Sequence, residues 1–178
     1  WARTIQCEGP GCGAQLPLIR NLWLGKKSIR PAALQLLPNK KARRVDFQII
    51  VKTKRGWVNQ DEAQEPKAQI IEPKFDGTVK GGSATCPCCD YTTKNDRVRK
   101  QLAETRGGAN TATLFAVVRT VTKEAGRFYR LPSKSDLRAC LNASEELNRQ
   151  VSLHSSGLSL IPDELIPTER PSPNARGL

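Results

Sequence analysis

The chain has 178 residues, of which 38% are hydrophobic, so it is long enough to bury a core. Lys and Arg (29) outnumber Asp and Glu (17), and the formal net charge of +12 favours a polyanionic partner, nucleic acid first. No apolar run approaches the roughly 20 residues of a membrane span, so we expect a cytoplasmic protein with no membrane partner. The chain has no Met and starts at Trp1 in a strand-like run, which predicts a piece of a larger protein.

In chain order, a short strand over 3–6 leads into Cys7-Glu-Gly-Pro-Gly-Cys12, and a second strand over 16–24 leaves it. The glycines and the proline of this segment suit the positive or fixed φ angles of a tight turn. Strands over 31–37 and 45–52 follow, joined by a polar turn, and the alternation in the second is typical of a half-buried antiparallel strand. Residues 53–73 turn polar and are predicted to form a long loop.

A short strand over 75–79 leads to the second cysteine segment, Cys86-Pro-Cys88-Cys89-Asp90. A helix is predicted over 95–105, because Val98 and Leu102 are one turn apart. A hairpin of strands 114–121 and 127–131 follows, and then a helix over about 133–151 whose apolar stripe includes Cys140, predicted to be a buried core thiol. We expect one domain over 1–161 and an extended Pro-rich linker over 162–178.

The two cysteine segments have the spacing of one four-thiolate metal site. Cys7/Cys12 is a C-x4-C pair and Cys86/Cys89 is a C-x2-C pair, so each brings two sulfurs to one tight turn. Four protein ligands leave no vacancy on a tetrahedral ion, which predicts structural Zn²⁺ and no activation of water. Reduced core thiols or disulfides are the alternative, and iron suits the same ligands. Cys88 lies between ligands and is interpreted as a neighbour.

The positive charge recurs along the chain and is not confined to one tail. Recurrence on several elements permits a basic face, whereas a generally solvated basic surface is the alternative. We predict nucleic-acid contact by Arg97, Arg99 and Lys100, which lie on the helix beside the second cysteine segment. The clusters are Lys26/Lys27/Arg30, Lys40/Lys41/Arg43/Arg44, Lys52/Lys54/Arg55 and Arg97/Arg99/Lys100.

The residues that catalysis would need are not assembled in this sequence. One His allows no sensible Ser-His-Asp or Cys-His arrangement, and no Walker loop, G-x-G-x-x-G or H-E-x-x-H motif is present. The acidic residues are better explained as solvated faces. We therefore predict no catalytic residue and no cofactor-binding residue in this chain.

Six stretches carry a resemblance to a known family: WARTIQCEGPGC (1–12), RVDF (44–47), GTV (77–79), GSATCPCC with YTT (82–89 and 91–93), RFYRLP (127–132) and LIPDE (160–164). Nearly the whole chain resembles the zinc-ribbon-bearing insert of large bacterial and archaeal adenine-specific DNA methyltransferases, a group that includes proteins encoded with anti-phage systems. Cys7, Cys12, Cys86 and Cys89 match the family's metal motif. The chain departs from the pattern at Cys88-Cys89-Asp90, where a non-cysteine followed by Cys-Gly is usual.

The resemblance implies methyl transfer from S-adenosylmethionine to the exocyclic amine of adenine in DNA. The family's cofactor-binding and catalytic motifs match nothing here, so S-adenosylmethionine is expected only in the remaining domains of a parent protein. The predicted fold class is α+β, with antiparallel strands, a zinc ribbon made by two knuckles, and two flanking helices. The predicted function is DNA contact or target recognition by a non-catalytic, zinc-bearing part of such an enzyme. The alternative is a zinc-stapled structural or protein-interaction module.

Overall fold

In a computed structural model of the chain, the described residues are 1–27, 29–105, 111–122, 124–155, 157 and 159–161. They form an α+β structure with mostly antiparallel strands, as the sequence predicts. The strands are β1 (Ala2–Gln6), β2 (Gln15–Pro17), β3 (Trp23–Gly25), β4 (Ala32–Asn39), β5 (Arg44–Thr53), β6 (Gly56–Asn59), β7 (Val79–Lys80), β8 (Ser83–Thr85), β9 (Thr92–Thr93), β10 (Ala112–Thr113), β11 (Val117–Val121) and β12 (Glu124–Arg130). The helices are α1 (Asn95–Glu104) and α2 (Lys134–Leu153), and Gln60–Glu62 form a 3-10 turn.

The largest sheet has the strand order β10-β1-β2-β5-β4-β3, and β6 pairs with β5 beside this path. Its pairings are antiparallel except β2 with β5, which meet in parallel at Gln15 and Arg44. Strands β7, β8 and β9 form a small antiparallel sheet, and β11 pairs with β12 in a hairpin. The helix predicted over 95–105 is confirmed as α1.

The β4–β5 hairpin follows the predicted alternation. Its turn is closed by Asn39, whose side-chain oxygen accepts a hydrogen bond from the Ala42 amide at 3.0 Å. Arg43 takes a positive φ of 49° in this turn, a conformation that few L residues adopt. Val45 and Ile49 are buried on one face of β5, and Ile50 on the other face is buried as well. The strand is therefore buried on both faces near Ile50, whereas the alternation of its sequence predicts burial of one face only.

Two predicted segments have more internal structure than the sequence indicates. The strand predicted over 16–24 consists of the two short strands β2 and β3, because hydrogen bonding changes partner between them. The Leu18 amide donates to Arg3 of β1, but the Leu22 amide donates to Phe75. Within the loop predicted over 53–73, Gly56 turns the chain at φ 136° so that β6 pairs with β5.

Two apolar clusters form the core of the unit Trp1–Ser133. One cluster joins β1, β2 and β8 to α1 and contains Leu16, which is fully buried. Complete burial of a Leu side chain stabilises a fold by about 1.5–3 kcal/mol. This cluster also contains Cys7, Cys86 and Cys88, so the cysteine segments are part of the core.

A second unit begins at Lys134 with helix α2. No residue of α2 is buried, and its apolar residues Leu137, Leu141 and Leu147 are exposed. The prediction that Cys140 is a buried core thiol is wrong, since Cys140 is only half-buried. The apolar period of a helix sets which residues share a face, but it does not supply an element that covers the face. The predicted boundary before the linker stays a prediction, because 162–178 lie outside the described residues.

Candidate metal centre

The first cysteine pair lies in a turn between the antiparallel strands β1 and β2. The Cys7 amide donates to the Ala14 carbonyl at 2.9 Å, and the Cys12 amide donates to the Gly9 carbonyl at 3.0 Å. Gly11 and Gly13 take positive φ angles of 71° and 56°, where a Cβ would be strained. Backbone hydrogen bonds within the segment therefore close the turn that carries both sulfurs.

The second pair lies in a turn between the antiparallel strands β8 and β9. The Cys86 amide donates to the Tyr91 carbonyl at 2.9 Å, and the Asp90 amide donates to the Cys86 carbonyl at 2.8 Å. Asp90 has a positive φ of 60°. Asp tolerates this conformation better than most residues, so it takes the place that a glycine commonly fills.

The two turns face each other and bring four sulfurs together. The Sγ atoms of Cys7 and Cys89 are 3.5 Å apart, and those of Cys12 and Cys86 are 3.9 Å apart. All four ligand atoms lie within 4.8 Å of one another. Tetrahedral coordination at about 2.3 Å per Zn–S bond separates neighbouring sulfurs by about 3.8 Å. The cluster can therefore hold a metal ion, and the convergence predicted from spacing is confirmed.

The approach of the two turns requires a glycine at position 9. A Cβ built on Gly9 would lie 2.9 Å from the Cys89 sulfur and 2.8 Å from the Cβ of Tyr91. Both distances are shorter than real Cβ contacts, so any side chain would push the turns apart. The sequence marks Gly9 as one turn residue among several, and only the contact across the site singles it out.

The thiols are in different environments. Burial raises the pKa of Cys7, although the Gly9 amide, which donates to its sulfur at 3.3 Å, opposes the shift. The amide of Ala14 lowers the pKa of Cys12. A metal ion binds the thiolate forms, so binding must release protons and will weaken as the pH falls. None of the cysteines forms a disulfide.

Cys88 lies outside the four-sulfur cluster although it stands between two of its members in sequence. It is buried, and its Sγ donates to the Arg44 carbonyl at 3.5 Å. Burial raises the pKa of this thiol, which favours the protonated form. Cys88 therefore packs as a small apolar residue against β5, in agreement with its interpretation as a neighbour.

Helix α1 packs beside the first cysteine turn, and Arg97 fixes it there. The guanidinium of Arg97 contacts both carboxylate oxygens of Glu8, with Nη2 2.9 Å from Oε1. Gln101 adds a reciprocal pair, since its Oε1 accepts from the Gln6 amide at 2.8 Å and its Nε2 donates to the Gln6 carbonyl at 3.0 Å. The sequence singled out Arg97 for nucleic acid and missed Glu8, which is 89 residues away. Arg99 and Lys100 are exposed on the same helix.

Comparisons of the chain with models of known protein families, with curated proteins and with solved structures give no match. Within the described residues, no helix is long and apolar enough to cross a membrane.

Proposed function

We propose that this chain is a non-catalytic, zinc-bearing module that contacts DNA within an S-adenosylmethionine-dependent, adenine-specific DNA methyltransferase. The observation that carries the proposal is the convergence of Cys7, Cys12, Cys86 and Cys89 from two segments far apart in sequence. A metal there joins the start of the chain to its middle. The ion stabilises the fold and has no open position for a substrate.

Zinc is the ion of this proposal, and the chemistry of the ligands supports it. Four thiolates in two turns between antiparallel strands are the ligand set of a zinc ribbon. Soft sulfur donors also suit iron, so the identity of the ion needs direct measurement. Elemental mass spectrometry of the purified chain should give about one zinc per chain, and no metal in carefully prepared protein would overturn the ribbon.

The DNA contact is supported by charge and by the attachment of α1. The chain carries a net charge of +12, and the contacts of Glu8 and Gln101 hold α1 against the cysteine turn. A metal that stiffens this turn also fixes the exposed Arg99 and Lys100 in space. Phosphate contacts of this kind supply affinity without sequence information.

The methyltransferase part of the proposal rests on the sequence resemblance. The cofactor and the catalytic residues belong to the remaining domains of the parent, which are also the partners of this chain. This part is tested by a comparison of DNA methylation by the parent protein and by its Arg99→Glu/Lys100→Glu variant. Loss of DNA affinity with an unchanged affinity for S-adenosylmethionine is the expected result.

A gel-shift series with duplex DNA in rising salt tests the DNA contact directly. The zinc-loaded chain should bind at low ionic strength, and its affinity should fall steeply with salt. The Arg99→Glu/Lys100→Glu variant should bind at least tenfold more weakly. Lys67→Glu/Lys74→Glu is the matched control, because it makes the same change in charge at two other exposed lysines.

The second candidate is a structural or protein-interaction module that the metal staples together. The contacts of Arg97 favour it, because one of the three cations assigned to nucleic acid is used to hold the fold. Under this candidate, Arg99→Glu/Lys100→Glu leaves DNA affinity of the parent unchanged. Arg97→Gln would then lower stability without an effect on DNA binding.

A further inference from the structure

A cavity of about 670 Å³ in the unit Trp1–Ser133 has walls with a strongly positive character. It lies where β5 and the 3-10 turn meet the β11–β12 hairpin, apart from the cysteine cluster. The described residues that line it include no Asp or Glu. Five cations line it: Arg30, Lys52, Arg119, Arg127 and Arg130. We call this cavity the basic groove.

The groove also contains an aromatic ring with two cations over it. The guanidinium carbons of Arg30 and Arg119 lie 5.4 Å and 5.9 Å from the centre of the Phe128 ring. Arg119 is the cross-strand partner of Phe128 in the hairpin, so the pairing register itself places this cation beside the ring. A nucleobase packs well on either an aromatic ring face or a guanidinium plane, so these three side chains offer surfaces for unpaired bases.

The hairpin that forms one wall is anchored to the large sheet. Tyr129 donates from its hydroxyl to the Leu24 carbonyl at 2.6 Å. Ahead of the hairpin, Phe115 packs on Phe47 of β5 with ring centres 5.7 Å apart. Ala32 and Val51, a cross-strand pair of β4 and β5, also line the groove. The groove is thus built by packed elements of the core sheet.

We propose that the basic groove binds a single strand of nucleic acid, with unpaired bases packed on the cluster of Arg30, Phe128 and Arg119, and with phosphates contacted by the surrounding cations. This inference deepens the proposed DNA contact and rests on it, because it assumes that nucleic acid is the polyanion that the charge serves. The volume is about that of a ligand of one or two nucleotides, and within the range of pockets that bind small ligands. An acidic peptide would form ion pairs with the cations of the groove, but it has no base to pack on the Phe128 ring.

Fluorescence anisotropy with a labelled thymidine oligomer of about ten nucleotides tests the proposal on the zinc-loaded chain. The Arg119→Glu/Arg127→Glu variant should bind the strand at least tenfold more weakly. In a plot of the logarithm of the binding constant against the logarithm of salt concentration, the slope should become shallower by about 1.4. Each single-strand phosphate contact contributes about 0.7 to this slope, and the variant loses two such contacts. Phe128→Leu keeps the apolar bulk and should weaken binding about fivefold through the loss of stacking.

The control is Lys67→Glu/Lys74→Glu, a reversal of equal charge at two exposed lysines that do not line the groove. Retention of strand binding in this control supports the groove, whereas equal loss in the control and in Arg119→Glu/Arg127→Glu means general charge attraction and overturns it. Equal binding of a polyglutamate peptide also overturns it in favour of an acidic protein partner. Zinc content and circular dichroism report whether each variant is folded, and Arg119→Gln/Arg127→Gln replaces a variant that is not.

The outcomes separate this inference from the proposed function. Duplex binding that depends on Arg99 and Lys100, with a strand affinity indifferent to Arg119 and Arg127, overturns the groove alone. Strand binding that depends on the groove, without duplex binding, overturns the α1 contact and leaves the groove. If the zinc-loaded chain binds neither duplex nor strand at low salt, both fail.

Discussion

The cysteine cluster and the basic groove are built in different ways. Each pair of cysteines is held by backbone hydrogen bonds within its own short turn, and the two turns meet over a buried core. The groove takes its cations from several elements, and its hairpin wall is attached by the hydroxyl of Tyr129 and by aromatic packing. Loss of one ligand should therefore undo the first region, whereas changes in the second should be graded.

Replacement of a ligand should have the largest effect. Cys7→Ser and Cys89→Ser should each abolish binding of about one zinc per chain and remove cooperative unfolding. Structural zinc sites contribute about 10–16 kcal/mol of apparent binding free energy, which exceeds the stability of most domains. Elemental mass spectrometry and thermal unfolding measure both effects. Cys140→Ser is the matched control and should change neither; equal behaviour of all three variants would show that no metal staples the fold.

Gly9→Ala should weaken zinc binding at least tenfold without removal of a ligand. A Cβ added to Gly9 would lie 2.9 Å from the Cys89 sulfur, so the sulfur must move. Competition with a fluorescent zinc chelator measures the affinity. Gly11→Asn is the control, because Asn tolerates the positive φ at this position and a Cβ there meets nothing within 4 Å. Unchanged affinity in Gly9→Ala would mean that the turns can separate at little cost.

Tyr129→Phe should loosen the groove and leave the metal in place. The variant loses one hydrogen bond to the Leu24 carbonyl, worth about 1 kcal/mol, and keeps the ring. We expect a lower unfolding temperature and a severalfold weaker affinity for single-stranded DNA, with about one zinc still bound per chain. Loss of zinc in this variant would show that the two regions are coupled and would break the contrast between them.

The pair between Glu8 and Arg97 should give a small, pH-dependent effect. The hydrogen bonds from Arg97 lower the pKa of Glu8 below its usual value of about 4.5. Their contribution to stability is therefore complete above that value and is lost as the pH falls through the lowered pKa. Urea titrations should show that Glu8→Gln removes this part of the acid dependence, and 1 M salt should reduce it because the pair is surface-exposed. If the unaltered chain and Glu8→Gln lose stability equally as the pH falls, the pair between Glu8 and Arg97 contributes nothing to stability.

The spacing of the cysteines was enough to predict which four sulfurs converge, since cysteines five or three positions apart can share one turn. The helix around Val98 and the β4–β5 hairpin were likewise predictable from their apolar periods. Cys140 shows the limit of that reasoning, because its helix has an apolar stripe but, within the described part of the chain, no buried residue. Gly9 and Glu8 show a second limit, since each is defined by a contact with a residue more than 80 positions away.

The sequence by itself determined part of the local structure: the β4–β5 hairpin, the cysteine turns, and which thiols can act together. Short-range geometry and periodicity decide these features within a few residues. The tertiary structure alone decided that Arg97 is paired with Glu8 and that Arg119 and Arg127 share a groove with Arg30 and Lys52. The residues of such a set follow no fixed spacing in the sequence, because they meet only when the sheet brings distant segments to one surface.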